Sequence, residues 1–167
     1  EERGVSFLGM LVTAAALYFH FQFLTDMAAL AEKYQPEGVT LDLRFRRPNT
    51  DDLLSNSALH SLEHIVATIL RNSPEKDAVV YFGPMGCQTG FYVLFDEAKL
   101  PLSGIVELLK RAFNEAAAWD REMPGQSPYE CGNYRNLDVA VCRKECAYYA
   151  QVIQDWTVDK LEYEFRL

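Results

Sequence analysis

The segment VTLDLRFRRPN at residues 39–49 decides the fold class together with the segment SALHSLEHIVATIL at residues 57–70. Apolar and polar side chains alternate along the first segment, which predicts a half-buried strand over residues 39–47 that the following Pro-Asn pair ends. The second segment has the apolar spacing of an amphipathic helix, which we predict over residues 58–70. The predicted core stripe of this helix consists of Leu59, Leu62, Val66 and Ile69.

The rest of the chain adds strands and helices in mixed order. We predict buried strands over residues 78–82 and 90–95, helices over residues 103–119 and 137–153, and a terminal strand over residues 161–167. Ser103 is the candidate cap of the first of these helices, and a Gly-Pro-Met-Gly turn joins the two buried strands. This order predicts an α+β fold in which an antiparallel-rich sheet packs with helices, within a single domain over residues 36–167.

Residues 1–35 are predicted to form a separate apolar helical segment. Residues 4–25 contain no Asp, Glu, Lys or Arg, and this run is long enough to cross a bilayer. His20 and Gln22 lie within it and would be costly in lipid. We therefore favour burial of residues 4–24 against protein, and membrane contact through this segment remains the alternative.

Charge excludes one broad class of function. The chain has 167 residues and a formal net charge of −8, so the basic surface of a nucleic-acid-binding protein is missing. Arg44, Arg46 and Arg47 form a local basic cluster, and a solvated strand edge is the simplest interpretation of Arg46 and Arg47. No nucleic-acid partner is predicted.

The four cysteines indicate a reducing compartment. Cys87 and Cys131 accompany His and Glu residues in a chain large enough to fold without disulfides, which favours metal-binding or catalytic thiols in the cytoplasm. Cys142 and Cys146 are four residues apart in a predicted helix with no histidine nearby, and we interpret them as packed or surface helix residues.

The sequence His60-Ser61-Leu62-Glu63-His64 is an H-x-x-E-H pattern. On a helix, His60 and His64 are one turn apart and share a face, so both imidazoles can reach one metal ion. Glu63 lies beside them, where its carboxylate can act as a base. Read alone, the pattern is equally compatible with a polar helix face, although it holds two of the three histidines in the chain.

Two thiols complete the candidate chemistry. Cys131, in a Gly-rich loop, is a candidate third metal ligand, and three protein ligands would leave one coordination position for substrate. Cys87 follows a predicted strand at a glycine-flanked turn, where a thiol can face a cleft. The alternative for Cys87 is a small buried apolar residue.

Taken together, these motifs resemble the S-ribosylhomocysteine lyase (LuxS) family. The segments that carry the resemblance are Leu41 to Arg44 with Arg47 to Asn49, His60 to His64, Gly83 to Phe91, and Cys131 to Tyr134. They occur in the family's order and at similar separations, over roughly residues 39–153. The apolar N-terminal segment departs from the family, because Ser6-Phe7 is not followed by the usual Asp-His pair.

The resemblance implies a homodimer that binds one divalent metal ion per subunit, Fe(II) or Zn(II), at His60, His64 and Cys131. It implies cleavage of S-ribosylhomocysteine to homocysteine and 4,5-dihydroxy-2,3-pentanedione, the autoinducer-2 precursor. Glu63 and Cys87 would carry protons, and Arg44 would steady the thiolate or bind substrate. Two other functions remain open, an inverted-zincin metallopeptidase, which shares H-x-x-E-H, and a catalytically degenerate metal-binding interaction module.

Overall fold

The computed structural model describes residues 38–161. The predicted apolar helix of residues 4–24, the boundary after residue 35 and the predicted terminal strand beyond Leu161 lie outside this range and stay predictions. Within it, no helix is both long enough and apolar enough to cross a membrane.

The sheet of the described residues has three antiparallel strands. They are β1 (Gly38–Arg44), β2 (Val79–Pro84) and β3 (Gly90–Asp96), in the order β1-β3-β2. Arg44 pairs with Gly90 at the end of β1. A Cβ atom at Gly90 would lie 2.1 Å from the Leu43 carbonyl oxygen, so only glycine allows the two strands to approach this closely.

Three helices pack with this sheet. They are α1 (Asn56–Asn72), α2 (Leu102–Ala117) and α3 (Val139–Ile153). Ser55 caps α1 by accepting a hydrogen bond from the Ala58 N–H. The prediction of Ser103 as the cap of the next helix is wrong, because α2 begins directly after Pro101. The α+β class and the antiparallel sheet are confirmed for the described part of the chain. Single-turn 3₁₀ helices occupy Lys76–Ala78, Tyr134–Asn136 and Val158–Lys160.

The core lies between the sheet and the helices. Phe91 and Phe95 of β3 are fully buried together with Leu62 of α1 and Phe113 of α2. Phe45, just after β1, stacks on Tyr149 of α3 with ring centroids 3.8 Å apart. This contact fixes the end of β1 against α3.

The strand predicted over residues 39–47 ends early, at Arg44. The N–H groups of Phe45 and Arg46 both donate to the Thr89 carbonyl, at 2.9 and 3.0 Å, so two residues face one and the alternation is interrupted. Arg46 consequently forms an ion pair with Glu145 of α3 at 2.5 Å, with both side chains largely buried. The interpretation of Arg46 as a solvated residue is wrong, whereas Arg47 is exposed as expected.

Candidate metal centre and thiol site

His60 and His64 lie on one face of α1. Their rings are 4.8 Å apart between centroids and are nearly perpendicular, and both residues are half-buried. Because the apolar stripe of α1 fixes the rotation of the helix against the core, the two imidazoles are held in place by the fold. This arrangement agrees with the prediction from H-x-x-E-H.

Cys131 joins the two histidines. Its Sγ lies 3.2 Å from His60 Nε2, and one donor atom from each of His60, His64 and Cys131 lies within 4.8 Å of the others. Tetrahedral zinc with nitrogen and sulfur ligands requires donor atoms roughly 3.5 Å apart. Two imidazoles and one thiol at these separations fit a divalent metal ion, with a fourth coordination position left for another ligand.

The loop that carries Cys131 is fastened along α1. The Ser57 hydroxyl donates to the Asn136 carbonyl, and the buried Ser61 hydroxyl accepts a hydrogen bond from the Asp138 N–H, both at 2.8 Å. Asp138 in turn caps α3. The loop is therefore tied to α1 on the residues that flank His60 in sequence, which sets the position of the Cys131 thiol.

A backbone carbonyl orients His64. Its Nδ1 lies 2.8 Å from the Pro124 oxygen, which is the position of an N–H donor and leaves Nε2 as the nitrogen for a metal. Gly125 has a φ of +69°, and a Cβ atom there would lie 3.0 Å from His64 Nδ1. Glycine thus permits both the left-handed backbone and the close approach of the loop to the ring.

The electrostatic environment of the cluster favours the neutral form of His60. Partial burial lowers the pKa of His60, and the neighbouring His64 lowers it further, while Glu63 acts in the opposite direction. A lowered pKa keeps the imidazole neutral, which is the form that binds metals. Glu63 is half-buried and close enough to influence His60, as its position three residues along the helix predicts.

Cys87 occupies a second group, in the turn between β2 and β3. Its thiol is exposed, lies 3.0 Å from the Thr89 hydroxyl oxygen and 3.9 Å from Arg44 Nη1. The hydrogen bond from Thr89 lowers the pKa of Cys87, and the Arg44 charge adds a smaller effect in the same direction. Arg44 also donates to Thr89 at 2.6 Å and pairs with Asp42. The structure therefore places Arg44 beside the thiol.

The turn that carries Cys87 is anchored next to the start of α1, the helix that carries the candidate metal ligands. Gln88 has a φ of +60°, and its carbonyl accepts a hydrogen bond from the Leu54 N–H at 3.0 Å. Leu54 immediately precedes the cap of α1, and His60 lies in the second turn of that helix. The thiol turn thus meets the chain at the end of α1 that carries His60.

The other two cysteines have a different environment. Cys142 and Cys146 are completely buried in α3, with their sulfur atoms 3.8 Å apart. A hydrogen bond in which Cys146 is the donor to Cys142, together with burial, raises the pKa of Cys146 strongly, so this thiol stays protonated. They are packing residues, in agreement with the first of the two interpretations given for them.

A cavity of about 520 Å³ borders Asp42 and Arg44. Its walls are mainly apolar side chains of β1, α2 and α3, and none of His60, His64, Cys87 or Cys131 lines it. This cavity and the candidate metal centre are therefore separate features.

Sequence reasoning missed three contributors to these groups. Thr89 and Asp42 contact Arg44, and the Pro124 carbonyl contacts His64. The Cys-x-Thr spacing places Thr89 two residues after Cys87, just before β3, and this closeness in sequence was the available signal for Thr89. No local pattern marks Pro124, because its role is performed by a backbone atom across the loop.

Comparison with known proteins decides the family. The family described as S-Ribosylhomocysteinase (LuxS) matches residues 25–160. The chain belongs to the S-ribosylhomocysteine lyase (LuxS) family. Two of the motifs that carry the sequence resemblance contain His60, His64 and Cys131, and these three residues cluster in space.

Several curated proteins named S-ribosylhomocysteine lyase are similar to this LuxS family member. One from Phocaeicola vulgatus is 42% identical over 126 residues, which cover 74% of this chain and 78% of that protein. One from Desulfotalea psychrophila is 39% identical, and one from Borreliella burgdorferi is 36% identical, each over 74% of this chain and 79% of the relative.

Proposed function

We propose that this chain is an S-ribosylhomocysteine lyase that releases homocysteine and 4,5-dihydroxy-2,3-pentanedione, the autoinducer-2 precursor. The observation that carries the proposal is the cluster of His60, His64 and Cys131 on a scaffold that also presents the Cys87 thiol beside Arg44. Its membership of a lyase family and its similarity to proteins named for this activity support the same conclusion.

His60, His64 and Cys131 would hold one divalent metal ion, Fe(II) or Zn(II). When bound, the ion would act as a Lewis acid that polarises oxygen atoms of the sugar. Neutral imidazole suits both metals, and a thiolate ligand suits zinc and iron among the common choices. The hydrogen bond from His64 to the Pro124 carbonyl supports this assignment, because ligand histidines ordinarily use the second nitrogen in this way.

Cys87 and Glu63 suit the proton transfers that this substrate requires. The thioether sulfur is bonded to C5 of the sugar, far from the carbonyl at C1, so the carbonyl must migrate to C3 before the bond can break. Each migration removes a proton next to a carbonyl and returns one at the neighbouring position. Cys87, with its lowered pKa, and Glu63 would carry these protons, each contributing about 10²–10⁴-fold in rate.

The cleavage step then follows as a β-elimination. Loss of the C4 proton forms a double bond between C4 and C5 while the C5–S bond breaks. The sulfur leaves with the bonding electron pair and takes a proton to give homocysteine. The remaining enol tautomerises to 4,5-dihydroxy-2,3-pentanedione. We assign the C4 proton to Glu63, because its position on α1 is next to the candidate ligand His64 and three residues from His60.

The two alternatives lack this support. An inverted-zincin peptidase would take a distant glutamate as its third ligand, whereas Cys131 is the residue beside His60. A catalytically degenerate binding module would have no use for a thiol whose pKa is lowered by Thr89 and Arg44. We therefore keep lyase activity as the single proposed function.

We further propose a cytoplasmic homodimer. The described cysteines are all unpaired, which suits a reducing compartment. His60, His64 and Cys131 are each half-buried within one chain, and a second copy would cover them and exclude water from the reaction. Membrane contact through residues 4–24 is not favoured.

The test is turnover of S-ribosylhomocysteine by the full chain, with homocysteine release measured by a thiol reagent. Cys87→Ala and Glu63→Ala should abolish release and keep the metal, whereas Cys131→Ala should lose most of the metal by elemental analysis. Full metal retention in Cys131→Ala would refute the ligand assignment. Near wild-type turnover in Cys87→Ala would refute the mechanism, and peptide cleavage without homocysteine release would favour the peptidase.

A further inference from the structure

Thr89 is a buried polar residue that lies between the Arg44 guanidinium and the Cys87 thiol. It is 3% exposed, and its hydroxyl oxygen lies 2.6 Å from Arg44 Nη1 and 3.0 Å from Cys87 Sγ. The next polar contact of the hydroxyl is the Met85 sulfur at 4.0 Å, which is a weak acceptor. The mechanism proposed above gives this residue no part.

The contacts of Thr89 fix the direction of its single O–H bond. An arginine side chain only donates hydrogen bonds, so Thr89 must accept the bond from Arg44 through an oxygen lone pair. The hydroxyl proton then points away from Arg44, and Cys87 Sγ is the nearest acceptor. A hydrogen bond to sulfur stabilises the thiolate more than the thiol, because the thiolate is the stronger acceptor.

We infer that Thr89 is a positioning residue. Its hydroxyl donates a hydrogen bond to the Cys87 thiolate, and through this bond Arg44 stabilises the thiolate. The inference rests on the proposed role of Cys87 as a proton carrier.

Arg44 acts mainly through Thr89 in this arrangement. Its Nη1 is 3.9 Å from the sulfur, at the limit of a hydrogen bond, but 2.6 Å from the hydroxyl oxygen. Asp42 binds the other terminal nitrogen and thereby fixes the guanidinium. Arg44, with Asp42 behind it on β1, supplies the charge that faces Cys87 within residues 38–161. Polarisation along such a chain strengthens the final bond.

The backbone holds Thr89 independently of its hydroxyl. Its carbonyl accepts hydrogen bonds from the N–H groups of both Phe45 and Arg46. Replacing the side chain should therefore leave the residue in place. This makes Thr89→Val a nearly isosteric removal of the hydroxyl, and Thr89→Ser a variant that keeps it.

The experiment measures the Cys87 thiolate without substrate. The metal-loaded full chain is alkylated with iodoacetamide from about pH 5 to about pH 10, and Cys87 modification is quantified by peptide mass spectrometry. Thr89→Val should move the rate profile to higher pH and slow alkylation near neutral pH about tenfold, which corresponds to one pKa unit. Thr89→Ser should restore most of the wild-type profile. The kcat for lyase turnover should fall in Thr89→Val with little change in KM.

Controls separate this role from a structural one. Thr50→Val alters an exposed threonine whose hydroxyl donates to the Pro48 carbonyl and should leave the profile unchanged, and Cys87→Ala gives the background labelling. If Thr89→Val does not fold by circular dichroism, Thr89→Ala replaces it.

A wild-type pH profile in the variant that lacks the hydroxyl would overturn the inference, as would equal shifts for Ser and Val. Because alkylation needs no substrate, a wild-type chain that fails to release homocysteine would refute the proposed function and leave this measurement intact.

Discussion

Arg44 and Arg46 lie two residues apart at the end of one strand, yet they serve different parts of the molecule. Arg44 donates to Thr89 beside the exposed Cys87 thiol and pairs with Asp42. Arg46 instead forms an ion pair with Glu145 of α3, and its guanidinium lies 5.3 Å from the ring centroid of Tyr148. The first arginine belongs to the candidate chemistry and the second holds two elements together.

The difference arises from the backbone between them. A regular strand would direct side chains two residues apart to the same face. Here the N–H groups of Phe45 and Arg46 share the Thr89 carbonyl, and Phe45 stacks on Tyr149. Because the strand is interrupted here, Arg44 stays in register with β3, whereas the Arg46 side chain contacts α3. One hydrogen-bonding irregularity therefore separates the arginine of the candidate site from the arginine that joins β1 to α3.

Among the three arginines, the largest expected effect is on activity, from Arg44→Met. Loss of the guanidinium removes the donor that orients Thr89, so we expect the rate of homocysteine release to fall about 100-fold. Chemical denaturation should show a much smaller effect, because Arg44 is one-third exposed. Arg44→Lys, which keeps the charge without the planar fork, should lie between wild type and Arg44→Met. An Arg44→Met enzyme with normal turnover would remove Arg44 from the site.

Arg46→Met should show the reverse pattern. The Arg46 side chain is 17% exposed, and that of its ion-pair partner Glu145 is 13% exposed. Arg46 also donates a hydrogen bond to the Asp52 carbonyl at 3.0 Å. Removing it leaves the Glu145 carboxylate largely buried without its partner, at a cost of about 2 kcal/mol in the free energy of unfolding. Turnover per folded molecule should stay close to wild type. A loss of activity with unchanged urea denaturation would contradict this division of roles.

The sequence predicted the regular parts of this molecule better than its contacts between distant segments. Alternation and helical spacing located β1, α1 and the His60–His64 face, because both signals are local. Residue type and a Gly-rich loop made Cys131 a candidate ligand, but no local pattern shows that its loop reaches α1 through the Ser57 and Ser61 hydrogen bonds. Arg46 was misjudged because alternation carries no information about a shared carbonyl. Pro124 was missed because any residue has a carbonyl.

A double variant sharpens the interpretation of Arg46. Replacing both Arg46 and Glu145 by Met removes the ion pair without leaving a buried charge. We therefore expect it to be less destabilised than Arg46→Met alone, by about 1 kcal/mol. Glu145→Met alone completes the cycle, and urea denaturation of all four proteins gives the coupling energy. Strictly additive effects would mean that Arg46 stabilises the fold through Tyr148 and Asp52, not through Glu145.

Arg47 supplies the smallest expected effect and a control for both neighbours. It is 77% exposed and pairs with Asp51 four residues along the chain, at 2.9 Å. Hydrogen bonds from Arg47 lower the pKa of Asp51 below its ordinary value of 3.8. Because the folded pKa is the lower one, any stability from this pair is present above the ordinary value and is lost as the pH falls through the lowered value. Surface ion pairs of this kind contribute little, so Arg47→Met should leave turnover and the denaturation midpoint at neutral pH almost unchanged. Any small difference from wild type should vanish in acid, when Asp51 is protonated in both states. A midpoint difference that persisted or grew in acid would show that Arg47 acts through something other than the Asp51 carboxylate.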